Sequence, residues 1–117
     1  MTATATDTAT APVASFLHAG WSDEYWSKGY TILRGVFPAE DIAAMSAGFD
    51  RAYAEGMSHR QTWRHQNRVI WVHEHEKVGK FISGCQWQSW ADPVLNAYRT
   101  DPRMLAILEP LIGNNLK

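Results

Sequence analysis

The sequence predicts an α+β domain. Residues 38–56 and 101–113 carry apolar side chains at helical spacing, whereas 30–37 and 68–75 are short runs of β-branched and aromatic residues. Neither period dominates. A chain of 117 residues is long enough for one such domain with a single core.

Composition narrows the function classes. The formal net charge is −1 and the isoelectric point is near 6.5. No global field draws the chain to nucleic acid or to an anionic membrane, and no basic run or nucleic-acid motif stands out. No apolar run approaches the roughly 20 residues a spanning helix needs. The single cysteine, Cys85, has no internal partner, no CxxC spacing and no adjacent base. It reads as an inert thiol in a reducing cytoplasm. Residues 1–13 alternate Thr and Ala without a basic residue or an apolar stretch. They read as a disordered lead-in rather than a signal peptide, which leaves 14–117 as the folded part.

The elements follow in order. "ASFLHAG" is a short helical or irregular segment. Ser22 stands as an N-cap before Asp23 and Glu24, and Lys28 with Gly29 supplies the exit. "YTILRGVF" reads as a strand, with Tyr30, Ile32 and Val36 on one face and Leu33 and Phe37 on the other. Apolar residues on both faces predict a sheet covered on both sides. Pro38 opens a helix with Glu40 and Asp41 in its first turn. Ile42, Met45, Phe49, Ala52 and Tyr53 recur at helical spacing, and Gly56 closes it.

"MSHRQTWRHQN" reads as a loop. "RVIWVHEH" is the second strand, with Val69 and Trp71 facing one way and Ile70 and Val72 the other. "EKVGKFISGCQWQSW" is either a loop or a broken helix. Asp92-Pro93 and Asp101-Pro102 each pair a capping carboxylate with a residue suited to the first helical position. In the second helix Leu105, Leu108 and Ile112 form a stripe, and Pro110 tightens the last turn before Gly113. Two strands alone do not make a stable sheet, so helices or further strands must complete it.

Two stretches carry a family resemblance. "WSKGYTILRGVFPAEDIAAM" resembles the opening of the phytanoyl-CoA dioxygenase family, and "DPRMLAILEPLIGNNL" resembles the helix before the catalytic barrel of those proteins. The resemblance extends over nearly everything from about residue 14 to 117, with these two stretches as its most telling parts. The resemblance implies an iron(II)- and 2-oxoglutarate-dependent oxygenase that hydroxylates a small organic substrate. Its fold would be a double-stranded β-helix of the jelly-roll or cupin type. This chain would supply the amino-terminal helices and two or more strands, with the barrel incomplete. In that family a His-x-Asp (or Glu) pair and a distant His hold the iron, and a later arginine binds 2-oxoglutarate. All of these lie on barrel strands after the Leu-Ile-Gly helix, so no family ligand falls on a residue of this sequence. Iron and 2-oxoglutarate therefore belong to the complete protein, and this chain alone is expected to be inactive and to hold neither. The alternative is a noncatalytic helix–sheet module that binds a partner protein, or itself, through an exposed sheet edge.

The local candidates are few. "HEHE", His73 to Glu76, has metal-ligand residue types, but the second residue after His73 is His75 and the second after His75 is Lys77. On a strand His73 and His75 share one face and Glu74 and Glu76 the other. That spacing departs from His-x-carboxylate, and the pair reads as polar residues where a strand leaves the core. Arg34, inside an apolar strand, would need a buried partner. Arg68 reads as a solvent-facing strand-end arginine or, with a barrel present, as part of a substrate cavity. His59 and His65, beside Arg60 and Arg64, read as a solvated basic loop or a local anion contact. Six tryptophans suit core packing, and Trp87 and Trp90 are the candidates for an aromatic pocket wall.

Overall fold

The computed structural model describes residues 15–116, so the Thr/Ala-rich lead-in lies outside the described residues. The chain divides into two compact units, Ala39–Arg99 and the segments that flank it on either side.

The central unit is a helix packed on an open three-stranded sheet. Helix α2, Ala39–Ser58, is followed by β1 (Trp63–His65), β2 (Arg68–His75) and β3 (Gly79–Gln86), a 3-10 turn over Gln88–Trp90, and helix α3 (Pro93–Arg99). The strands are antiparallel in the order β1-β2-β3. Strand β2 has the span its sequence predicts. Two other elements are corrections. The expected loop contains β1, and the loop-or-broken-helix segment contains β3 followed by the 3-10 turn.

Both new strands are hairpin arms of β2. Gln66 and Asn67 turn β1 into β2, with Gln66 at φ 54°. Residues 76–78 turn β2 into β3, and Gly79 at φ +76° takes the left-handed conformation that Gly accepts without strain. The register runs from Val69 opposite Gln86 to His75 opposite Gly79 and shifts between Trp71 and Val72, where Gly84 and Ile82 are the partners. Ser83 is the extra residue of that bulge.

The core lies where α2 crosses the sheet. Ile70 and Val72 are buried on this side of β2, and Val69 is buried on its opposite face. Burying a residue such as Ile70 contributes roughly 1.5–3 kcal/mol. The helix meets the sheet with its small residues. Gly48, Ala52 and Gly56, four apart, are its buried positions. A Cβ on Gly56 would stand 2.9 Å from both Ile70 Cγ2 and Ile82 Cδ1, and one on Gly48 would stand 2.7 Å from Leu95 Cδ2. Gly56 is thus a contact surface and not the helix end, which comes at Ser58. The large residues of the expected stripe point elsewhere, and Ile42, Phe49 and Tyr53 are exposed.

The caps form as expected in both Asp-Pro helices. Asp92 Oδ1 accepts from the Val94 and Leu95 N–H groups at 3.0 and 3.1 Å, ahead of α3. Tyr98 of α3 donates to Asp41 of α2 at 2.7 Å.

The flanking unit holds α1 (Trp21–Lys28) and α4 (Pro102–Ile112). Asp101 caps α4 by accepting from Arg103 N–H at 2.9 Å, Pro102 opens it, and the Gly113 N–H closes it on Glu109 C=O at 2.9 Å. Leu105 and Leu108 are half-buried, and Ile112 is exposed. Helix α1 ends at Gly29 as predicted, but its N-cap is Gly20 and Ser22 lies inside the helix.

The segment expected to be the first strand forms no ladder. Residues 30–34 pair with no strand among the described residues, and 35–37 bend at Gly35, which has φ +69°. Tyr30 and Ile32 are 58% and 57% exposed, and Arg34 is exposed rather than buried. Thr31 Oγ1 donates to Glu24 Oε2 at 2.8 Å, and the Arg103 guanidinium lies over the Phe37 ring at 4.6 Å. The segment runs straight from one helix into another, so no hairpin neighbour is at hand to pair with it.

Candidate functional site

The polar centre of the central unit is Arg68. Alternation along β2 puts it on the helix side of the sheet with Ile70 and Val72. Its Nη2 donates to Glu55 Oε2 of α2 at 2.6 Å and to Gln88 Oε1 of the 3-10 turn at 2.8 Å. The guanidinium lies over the Trp63 ring at 5.1 Å, and the side chain is only 15% exposed. The solvent-facing reading of Arg68 is therefore corrected. Burial of the cation is offset by a carboxylate, an amide oxygen and an aromatic face.

Two donors in this cluster find no acceptor. They are Arg68 Nε and Gln88 Nε2, both buried. Gln88 is the buried polar residue of the unit, at 7% exposure. A buried donor without a partner costs about 1–3 kcal/mol. The turn that carries Gln88 is also conformationally costly, because Trp87 before it sits at φ 61°, ψ 32°, a left-handed region that bulky residues avoid.

Next to the cluster opens a cleft of about 170 Å³, lined by Arg51, Ala52, Glu55, Gln88, Ala91 and Asp92. Arg51 donates to Asp92 through Nε at 2.7 Å and Nη2 at 3.1 Å, a bidentate pair. The Arg51 hydrogen bonds, then the backbone N–H groups of Leu95 and Val94, hold the Asp92 carboxyl down at about 2 against an ordinary 3.8. Cys85 lies near the same cluster. Desolvation, then the Glu55 charge, pushes its thiol up, which keeps it protonated and unreactive.

The remaining sequence candidates are spread apart. His73 shares a 2.6 Å hydrogen bond through Nε2 with Ser83 Oγ and stacks on Phe81. His75 Nδ1 accepts from the Lys77 N–H at 3.1 Å. Among the described residues no group of three or more His, Cys, Asp or Glu could hold a metal ion. The described residues thus offer no donor set for iron, which the resemblance places on barrel strands and not at these positions. His59 is half-buried, and His65, Arg60 and Arg64 are exposed. His59 stacks on Trp63 at 4.8 Å, and His65 stacks on the same ring at 6.1 Å. Trp87 and Trp90 meet edge to face at 5.2 Å and stay largely exposed, outside the cleft lining.

Sequence reasoning missed Glu55, Gln88 and the Arg51–Asp92 pair. Arg51 and Glu55 stand four apart on α2, which places them on one helix face, and that was a usable signal. Nothing local distinguishes Gln88 from Gln86. Compared with family models, with curated proteins and with solved structures, the chain finds no match. No described helix is long and apolar enough to cross a membrane.

Proposed function

We propose that this chain is the amino-terminal, noncatalytic part of a cytoplasmic iron(II)- and 2-oxoglutarate-dependent oxygenase of the phytanoyl-CoA dioxygenase type. Its helices and open sheet would pack against a jelly-roll barrel that carries the metal ligands and receives the small organic substrate. The observation that supports this most is the segment Tyr30–Arg34. It has the composition of a strand, and it exposes Tyr30 and Ile32 without a strand partner among the described residues. An apolar extended segment is stable in water when another strand covers it. The Asp101 cap and the Gly113 exit of α4 agree with the second resembling stretch.

The test is the intact mass of the native species, detected with an antibody to the Gly29–Phe37 region. A species well above 13.2 kDa that releases succinate from 2-oxoglutarate only with iron supports the reading. A 13.2 kDa species without that turnover overturns it.

A second reading rests on a different observation. The outer edges of β1 and β3 are unpaired among the described residues, and an open edge is a template for another strand. On this reading the chain is a module that binds a partner or itself through that edge. Sedimentation of the purified chain decides it: a defined dimer supports the reading, and a monomer at all concentrations removes self-association.

A further inference from the structure

Away from the Arg68 cluster, one nucleophilic side chain sits against a base. Ser83 Oγ and His73 Nε2 share a hydrogen bond of 2.6 Å, and both residues are exposed. The fold explains how they meet. His73 alternates with Val69 and Trp71 onto the sheet face turned away from α2. Ser83 is the bulge residue of β3, with no partner in the register, so its side chain leaves the regular alternation. With the ring proton on Nδ1, Nε2 accepts from the Ser83 hydroxyl, the arrangement of a nucleophile beside its general base. Two other exposed serines lack it. Ser27 Oγ donates to Glu24 C=O and Ser58 Oγ to Glu55 C=O, and an amide carbonyl does not take up the proton.

The surroundings decide what suits Ser83. Trp71 and Phe81 flank it on the same face, 38% and 40% exposed. The Phe81 ring stacks on His73 at 5.2 Å. A Cβ on Gly84 would stand 3.3 Å from Trp71 Cε3, so the indole lies over the residue after Ser83. The charged residues of these two strands, Arg68, Glu74 and Lys80, alternate onto the helix side. There Arg68 donates to Glu55 and Lys80 to Met57 C=O. Two aromatic walls with no strand charge on their face suit a neutral aryl group.

From this we infer that Ser83 and His73 form an acyl-transfer pair for small neutral aryl esters. Ser83 Oγ attacks the ester carbonyl carbon while His73 Nε2 takes the hydroxyl proton. The bond from the carbonyl carbon to the aryl oxygen breaks, and the phenol leaves with that proton. Water then attacks acyl-Ser83, Nε2 takes a proton from it and returns it to Oγ, and the carboxylic acid departs. A positioned general base contributes about 10²–10⁴-fold. Among the described residues His73 Nδ1 has no hydrogen-bond partner to fix the ring, which sets the expectation at the low end. The pair is independent of the oxygenase and edge-binding readings.

An alkyl fluorophosphonate is the probe, since serine Oγ bonds to its phosphorus as fluoride leaves. It is incubated with the full chain, and the labelled residues are mapped and timed by peptide mass spectrometry. Ser83 should label ~100-fold faster than Ser27 or Ser58. His73→Gln keeps a hydrogen-bond acceptor for Ser83 but removes the base, and it should bring Ser83 down to the rate of the other two. With 4-nitrophenyl acetate the acetyl group should appear on Ser83, and phenol release should fall at least tenfold in Ser83→Ala. Should Ser83→Ala fail to fold, the mapped label on the unaltered chain decides. Three results overturn the inference: Ser83 labelling no faster than Ser27 and Ser58, an unchanged rate in His73→Gln, or an acetyl group carried by His73 or Cys85 in place of Ser83.

Discussion

Tyr30–Phe37 and Arg68–His75 are built from the same materials and end in opposite states. Each has eight residues, apolar on both faces, with an arginine within the run. Yet Ile70 is 0% exposed inside a paired sheet, and Ile32 is 57% exposed in a segment that pairs with no strand. Composition does not separate them. Their neighbours do. Strand β2 has a two-residue turn before it and a three-residue turn after it, so both partners arrive at small loop-closure cost. Residues 30–37 lie between α1 and α2, and a partner strand must come from farther away. Strand propensity is thus a statement about fit to a pleated surface, and it is realised only where such a surface exists.

The comparison breaks most visibly at its two isoleucines. Ile70→Ala should cost about 2–5 kcal/mol, the range for deleting a buried isoleucine side chain to Ala. Ile32→Ala should stay within about 0.5 kcal/mol, as exposed substitutions do. Urea unfolding of the two variants measures both. If Ile32→Ala cost as much as Ile70→Ala, the contrast between the segments would be lost.

A glycine packed against β2 and a glycine inside residues 30–37 sharpen the contrast. Gly56→Ala places a methyl against Ile70 and Ile82, and overpacking of this kind costs about 1–3 kcal/mol. It should also shift the methyl resonances of those two residues. Gly35→Ala has open space around it but a left-handed backbone at φ +69°, so its cost of roughly 1–2 kcal/mol is conformational. It should leave the core methyl signals in place.

Capping should be similar in the two units. Asp101→Ala removes the α4 cap and should cost about 1 kcal/mol. Helicity lost on this substitution should be confined to 102–112, as amide exchange would report.

The smallest effect is in pH. Asp92 titrates at about 2 when folded and near 3.8 when unfolded, so the unfolded chain binds its proton first as the solution is acidified. Its contribution is complete above pH 3.8 and disappears as pH falls through about 2. Asp101 is shifted the same way, chiefly by its hydrogen bond from Arg103. The urea midpoint should therefore fall across this acid window, and Asp92→Asn should flatten part of the slope.

The legible features were those decided within a few residues. Asp92 and Asp101 as caps, Pro102 behind its Asp, Gly29 and Gly113 as exits, and the span of β2 all follow from side chains acting on the nearest backbone. Ser22 failed even locally, because the left-handed Gly20 began the helix two residues early.

What only the tertiary structure decided was pairing between distant residues. Gly48 and Gly56 look like helix breakers in sequence, yet they are where α2 comes closest to Leu95 and the sheet, while Phe49 and Tyr53 stay outside. Strand β3 reads as a loop or a broken helix until β2 offers it a ladder. The Arg68 cluster gathers residues from positions 55, 63, 68 and 88, and no spacing rule links them. Caps and turns are short-range hydrogen bonds that the chain makes with itself. Strand partners, buried faces and buried charge pairs depend on which surfaces the whole fold brings together.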